Sequence, residues 1–207
     1  MIQNIIFDLG NVLLDINVQN AHDNFKALLG DEYESAYLKL WEGGHFTEFE
    51  VGKFNEAVFI DVIQKATSKT IKYQDIIDAW NGVLLEIKPA RIEMLKRLGQ
   101  THDIYLLSNT NATHIEWVNQ YLQRNFQFDI KAFNQLFKYP FYSHLVHMRK
   151  PDAEIYEYVL SYASLKAEET LFIDDHEPNI IGARKLGIVG YHHTVGEEIA
   201  DLIDELL

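Results

Sequence analysis

The sequence predicts an α/β fold, with a Rossmann-like parallel sheet covered by helices on both faces and a small helical cap inserted after the first strand. Short apolar runs alternate with helical patterns at the N-terminus and again after Pro89, and this alternation is typical of parallel strands joined by helices. Between about residues 17 and 86 the apolar residues recur at helical spacing instead, and no convincing strand pattern is found there.

The change in periodicity also sets the expected domain boundaries. A length of 207 residues suits one domain that carries an insert. We therefore expect an α/β core formed by residues 1–15 and 88–207. The segment between them, residues 16–87, is expected to form a cap domain of about four helices.

The predicted elements of the core follow in a regular order. Pro89 suits the first turn of a helix, and Gly99 would end that helix. Asp152 is typical of the N-cap of a later helix, and Gly187 would close another. Strands are predicted at residues 2–7, 104–107, 171–173 and 188–191, and further helices at residues 113–122, 180–186 and 197–207.

Composition and charge argue against several function classes. The formal net charge of −13 disfavours tight binding to nucleic acid or to an anionic membrane. No apolar run approaches the roughly 18 residues typical of a membrane span, and the N-terminus has no signal-peptide pattern. The chain has no cysteine, which excludes thiolate chemistry and fits a reducing cytosol, so we expect a cytoplasmic location.

Polar side chains follow three of the predicted strands at the point where each strand ends. Asp8 follows the first of these strands, Ser108 the second, and Asp174 and Asp175 close the third. Ligands of open α/β sheets bind at the carboxyl ends of the strands, so these groups are expected to converge at one edge. Together with Lys150 they supply what a phosphate ester and a divalent cation require.

Each of these residues also has a simpler explanation. Asp8 can ligate Mg²⁺ and attack phosphorus, but an aspartate at a strand end also caps turns. Ser108, followed by Asn109, can bind a phosphate oxygen near a helix N-terminus, although serine is also an ordinary N-cap. Pro151 favours an extended backbone at Lys150, which aims the ammonium group, whereas a lysine taken alone is usually solvated.

The adjacent carboxylates of Asp174 and Asp175 are the strongest single signal. They repel each other, which is costly without a cation. Mg²⁺ prefers hard oxygen ligands and leaves room for a substrate phosphate. Asn179, one helical turn beyond Asp175, is predicted to hold that carboxylate by a hydrogen bond. The alternative is that one aspartate caps a helix and the other is solvated.

The order and spacing of these segments resemble the haloacid dehalogenase (HAD) superfamily of phosphatases, in the subgroup with a small helical cap. The resemblance extends over essentially the whole chain, through residues 7–12 (FDLGNV), 50–54 (EVGKF), 148–151 (MRKP) and 174–187. It implies a Mg²⁺-dependent hydrolase that removes phosphate from a small phosphorylated metabolite, such as a sugar phosphate, through an aspartyl-phosphate.

The resemblance also implies a role for each site residue. Asp8 would be the nucleophile, and Ser108 and Lys150 would bind the phosphoryl group. The implied metal ligands are Asp8, the Gly10 backbone carbonyl and Asp175, with Asp174 beside them.

One position departs from the family pattern. The family usually has a second aspartate two residues after the nucleophile, where it protonates the leaving group, and here that residue is Gly10. General acid catalysis contributes roughly 10²–10⁴-fold, so this loss matters. Either another donor substitutes, with Asp15 and cap residue His45 as candidates, or the substrate has a good leaving group, or the protein is a weak catalyst.

Two other functions are compatible with the same fold. A metal-independent dehalogenase would also use Asp8 as its nucleophile, but the neighbouring Asp174 and Asp175 would disfavour another carboxylate without a cation. A weakly active or non-catalytic phosphate-binding relative is suggested by Gly10. Retention of the other site residues argues against that alternative.

Overall fold

A computed structural model describes all 207 residues, and a parallel sheet lies at its centre. The sheet order is β3-β2-β1-β4-β5, and every neighbouring pair is parallel. Phe7, the last residue of the central strand, lies opposite Leu106 on one side and Ile173 on the other. The residues that come next in these three strands therefore lie together at the carboxyl edge of the sheet. The strands are β1 (Asn4–Phe7), β2 (Asp103–Ser108), β3 (Tyr139–Tyr142), β4 (Thr170–Asp174) and β5 (Val189–His192).

A helical segment follows the central strand. It contains five α-helices rather than about four, and no strand. Its helices enclose a separate apolar cluster of 12 buried residues, among them Phe49, Phe59 and Ile76, which supports the proposed cap of residues 16–87. The helices are α1 (Val18–Leu29), α2 (Tyr33–Glu42), α3 (His45–Glu50), α4 (Glu56–Ala66) and α5 (Tyr73–Asn81).

The remaining helices cover both faces of the sheet. Alternate residues of β1 point to opposite faces. Ile5 and Phe7 belong to a cluster of 23 buried residues on one face, and Ile6 to a cluster of 11 on the other. None of the helices is long and apolar enough to cross a membrane. The helices are α6 (Pro89–Leu98), α7 (Ala112–Phe126), α8 (Ile130–Asn134), α9 (Ser143–Val146), α10 (Ala153–Tyr162), α11 (Glu177–Arg184) and α12 (Ile199–Leu202).

The predicted α/β fold is confirmed, but helices α8 and α9 were not predicted, and three further details of the core differ from expectation. Strand β3 was not predicted, because it contains Pro140, which a strand at the edge of a sheet tolerates. The last predicted helix is broken into α12 and a 3₁₀ turn at Ile203–Glu205. Asp152 occupies the N-cap position of α10, but its side chain makes no capping hydrogen bond.

The two linkers between the core and the helical segment run side by side. Ile16 pairs with Leu84 in an isolated antiparallel bridge. The side chain of Arg91 is 2% exposed, and its guanidinium contacts Asp15 at 2.7 Å and Glu198 at 2.9 Å. This buried arginine therefore ties one linker to the C-terminal segment.

Replacing Arg91 should destabilise the fold far more than replacing an exposed arginine of the same helix. Arg91→Met removes the guanidinium that pairs with the carboxylate of Glu198. Breaking a buried ion pair lowers the free energy of unfolding by about 3 kcal/mol. Arg97 forms an exposed pair with Asp204 at 2.7 Å, so Arg97→Met should cost less than about 1 kcal/mol. Urea denaturation of both variants measures the two values, and equal losses would contradict the role given to Arg91.

Candidate active site

A buried lysine joins two aspartates at the carboxyl edge of the sheet. Asp8 follows β1, and Asp174 is the last residue of β4. The Nζ atom of Lys150 lies 2.7 Å from Oδ1 of Asp8 and 2.6 Å from Oδ2 of Asp174. The lysine side chain is 1% exposed, and both carboxylates raise its pKa although burial opposes them. The ammonium group is therefore held charged between the two strand ends.

The carboxylate of Asp174 is saturated with hydrogen bonds. Its Oδ1 accepts from the backbone N–H of His176 at 2.8 Å, and Lys150 donates to its Oδ2. The Nδ2 atom of Asn179 lies 3.0 Å from both oxygens. The prediction that Asn179 holds Asp175 is therefore wrong, because Asn179 sits on the first turn of α11 and faces the inward-pointing carboxylate of the pair.

The other carboxylate of the pair has a different partner. The Nδ2 atom of Asn11 donates to Oδ2 of Asp175 at 2.8 Å, while its Oδ1 accepts from the backbone N–H of Ile16 at 3.2 Å. Asn11 has a left-handed backbone, with a φ of 53°. Sequence reasoning missed this residue as a functional one. The available signal was an asparagine in the turn after Asp8, since asparagine tolerates this conformation better than most residues.

The acidic groups at this edge fit a hard divalent cation. Carboxylate oxygens of Asp8, Asp174 and Asp175 lie within 4.8 Å of one another. Because Asp174 has no free acceptor position, Asp8 and Asp175 are the better candidates for ligands. The backbone carbonyl of Gly10 accepts no backbone hydrogen bond and can join them. Burial raises the pKa of Asp8 to about 7, despite the opposing charge of Lys150, and a bound cation would favour its charged form.

The predicted phosphate-binding residues Ser108 and Asn109 differ in whether their side chains remain available to a phosphate. The Ser108 hydroxyl lies at the end of β2, and this residue is 3% exposed. The Asn109 side chain is committed elsewhere, because its amide bonds both the N–H and the carbonyl of Lys150 at 2.9 Å. It therefore positions the lysine instead of binding phosphate. The backbone N–H groups of Leu9, Gly10 and Asn109 donate to no backbone carbonyl, so they can face an anion.

Neither proposed substitute for the missing acid is well placed. Asp15 contacts both Arg91 at 2.7 Å and Lys88 at 3.8 Å, and these ion pairs hold it at the linker. His45 pairs with Glu48 on the same cap helix at 3.4 Å. The backbone of Gly10 has no positive φ, so the absence of an aspartate there is not imposed by an unusual conformation.

Comparison with known proteins identifies the family. The model of the haloacid dehalogenase-like hydrolases matches residues 2–187. The chain belongs to that family. This hydrolase is 28% identical over 198 residues to a D-ribitol-5-phosphate phosphatase from Bacteroides thetaiotaomicron, covering 96% of the chain and 95% of the relative.

Solved structures agree with this assignment. A HAD-family enzyme from Bacteroides thetaiotaomicron, solved with magnesium and inorganic phosphate, is 32% identical with a TM-score of 0.87. The superposition covers 98% of this chain and 99% of that enzyme. A 2-haloacid dehalogenase from Pseudomonas syringae is 17% identical with a TM-score of 0.60, over 92% of this chain and 85% of that one. That second likeness shows the shared fold alone.

Replacing Asn11 should weaken Mg²⁺ binding. Asn11→Gly keeps the left-handed backbone accessible but removes the donor to Asp175, and losing such a supporting hydrogen bond typically costs about 10–100-fold in metal affinity. Calorimetric titration with Mg²⁺ measures this without any turnover. Gln127→Gly is a matched control, because Gln127 is exposed, with a φ of 60°, and lies on the loop after α7. An unchanged affinity in Asn11→Gly would exclude the orienting role.

Proposed function

We propose that this hydrolase is a Mg²⁺-dependent phosphoric monoester hydrolase that acts on a small phosphorylated metabolite through an aspartyl-phosphate. The observation that carries the proposal is the Asp8 carboxylate, which is held 2.7 Å from the buried Lys150 ammonium beside the carboxylate of Asp175. A nucleophile, a fixed positive charge and a second free carboxylate at one sheet edge suit transfer of a phosphoryl group. The similarity to a named phosphatase and to a magnesium- and phosphate-bound relative supports it.

In the proposed reaction, Oδ1 or Oδ2 of Asp8 attacks phosphorus and the ester oxygen leaves. Lys150 stays paired with Asp8 and offsets negative charge that accumulates on the phosphoryl oxygens. The Ser108 hydroxyl and the free N–H groups of the Leu9–Gly10 turn orient the same oxygens. Asp8, Asp175 and the Gly10 carbonyl would hold Mg²⁺, whose positive charge would offset the negative charge of the phosphate. A water molecule then hydrolyses the aspartyl-phosphate and restores Asp8.

A named relative supports a substrate class for this site. A relative of nearly the same length is a phosphatase of D-ribitol 5-phosphate, and we propose a phosphorylated sugar or polyol as the class to test first. The net charge of −13 disfavours nucleic acid and anionic membranes as partners. We propose a cytoplasmic location, where such metabolites occur.

Replacing the nucleophile should abolish turnover without disturbing the fold. Asp8→Asn keeps nearly the same shape, but an amide is a poor nucleophile and a poor metal ligand, so phosphate release should fall by at least about 10³-fold. Circular dichroism and the thermal midpoint should remain close to those of the wild type. Retention of substantial Mg²⁺-dependent activity by Asp8→Asn would exclude Asp8 as the nucleophile.

A metabolite screen tests the function itself. Phosphate release from a panel of sugar, polyol and aryl phosphates should require Mg²⁺, and excess EDTA should suppress it until Mg²⁺ is restored. A haloacid such as 2-chloropropionate is the control for dehalogenation, and no halide should be released from it. Halide release without metal, or no hydrolysis of any phosphate ester, would contradict the proposal.

A further inference from the structure

The proposed reaction lacks a proton donor at the usual place. The ester oxygen that leaves phosphorus must be protonated unless it is a stable anion. Gly10 has no side chain to do so, and Asp15 is held at the linker by Arg91 and Lys88. Where the leaving oxygen needs a proton, another element has to supply it. The cap contacts the loops at this edge, because the Ser143 hydroxyl donates to the Glu50 carbonyl and Arg149 donates to Thr47.

Glu50, the last residue of cap helix α3, is fixed directly against the core. Its backbone carbonyl accepts a hydrogen bond from the Ser143 hydroxyl at 2.6 Å. The same hydroxyl oxygen accepts from the backbone N–H of Thr110 at 2.8 Å, two residues beyond Ser108 at the end of β2. The backbone carbonyl of Val51 also meets Nδ1 of His147 at 2.9 Å. This cap segment is therefore anchored to the loops that carry Ser108 and Lys150.

The side chain of Glu50 points toward the charged part of the site. Its Oε2 lies 3.2 Å from Nη2 of Arg149, the residue that precedes the catalytic Lys150. The positive charge of Lys150 also acts on the pKa of this carboxylate. The side chain is 28% exposed, so it is not fully enclosed by protein. Arg149 also donates to Thr47 of the cap at 3.1 Å. The carboxyl thus has a defined position beside the lysine loop.

Glu50 also lines an apolar cavity within the cap. The cavity has a volume of about 220 Å³ and is walled by helices α1, α2, α3 and α5, with aromatic residues such as Phe46 and Trp80. Glu50 is the only carboxylate among its lining residues. Glu50 therefore contacts the loop that carries Lys150, through Arg149, and also borders a space that can hold the rest of a substrate.

The environment of Glu50 favours a protonated carboxyl group. Burial raises its pKa above the ordinary value, although the charges of Arg149 and Lys150 oppose this shift. A bound phosphate dianion adds negative charge nearby, which shifts the pKa in the same direction. A raised pKa brings the carboxyl group closer to the condition of a general acid, which must hold its proton at the working pH.

We propose that Glu50 is the general acid-base residue that replaces the aspartate missing at position 10. The inference rests on the proposed phosphatase function. As the Asp8 oxygen forms its bond to phosphorus and the ester P–O bond breaks, the proton of the Glu50 carboxyl passes to the departing oxygen, which leaves as an alcohol. The resulting Glu50 carboxylate then takes a proton from the water that attacks the aspartyl-phosphate. Phosphate is released, and both residues return to their starting states.

The test compares leaving groups in wild type and in Glu50→Gln. Aryl phosphates such as 4-nitrophenyl phosphate leave without help, whereas alkyl phosphates need a proton. For wild type, kcat should depend weakly on leaving-group pKa. In Glu50→Gln, turnover of alkyl phosphates should fall by about 10²–10⁴-fold and that of 4-nitrophenyl phosphate far less, so the dependence becomes steep. Single-turnover measurements give the rate of the first chemical step separately from that of product release.

Two control variants separate this role from a structural one. Glu48→Gln changes a partly exposed carboxylate of the same helix, which pairs with Lys53 at 3.5 Å, and should leave the aryl-to-alkyl ratio unchanged. Arg149→Met removes the ion pair but keeps the Glu50 carboxyl, so it should lower both activities together and preserve the wild-type ratio.

The outcomes distinguish the inference from the function on which it rests. Equal losses on aryl and alkyl phosphates in Glu50→Gln would show that Glu50 only anchors the cap and would overturn the inference. An unchanged ratio with full activity in Glu50→Gln would also overturn it. In those cases wild type still hydrolyses phosphate esters with Mg²⁺, whereas loss of that activity from wild type itself would overturn the proposed function.

Discussion

The arrangement of the site depends on one buried ammonium group shared by two carboxylates. Lys150 contacts Asp8, which follows β1, and Asp174, the last residue of the neighbouring strand β4. An unpaired charge at this depth would be strongly unfavourable, so each partner requires the others. Asn109 fixes the lysine backbone, and Asn179 fixes the Asp174 carboxylate. The Asp8 carboxylate is thus held by a polar network at the ends of two neighbouring strands of the sheet.

The two adjacent aspartates illustrate how position within the strand decides chemical role. Asp174 ends β4 and is 0% exposed, and its oxygens are consumed by protein donors. Asp175 lies one residue further on, partly exposed, with Asn11 as its single side-chain partner. One carboxylate therefore builds the site, and the other remains free to take part in it. The sequence alone shows two equivalent residues.

Much of this architecture was predictable from local patterns. Apolar runs identified β1, β2, β4 and β5, and strand ends identified Asp8, Ser108 and the aspartate pair. Hydrogen-bond partners were harder to predict from the sequence, because the directions of the Asn109 and Asn179 side chains depend on how two loops meet across the sheet. Strand β3 was not predicted, because Pro140 interrupts the residue pattern typical of a strand. The position of Glu50 depends on cap docking, which no local pattern encodes.

The place of β1 at the centre of the sheet has a consequence for how the chain assembles during synthesis. The first strand to be made pairs with residues 103–108 and 170–174. Its backbone hydrogen-bonding groups therefore stay unpaired, and its apolar side chains uncovered, until most of the chain exists. The cap helices, in contrast, complete their own apolar cluster within one continuous stretch. Local contacts form faster than distant ones. We therefore expect the insert to form its contacts before β1 is paired, which leaves the Ile-Ile-Phe strand open to aggregation until β4 is made.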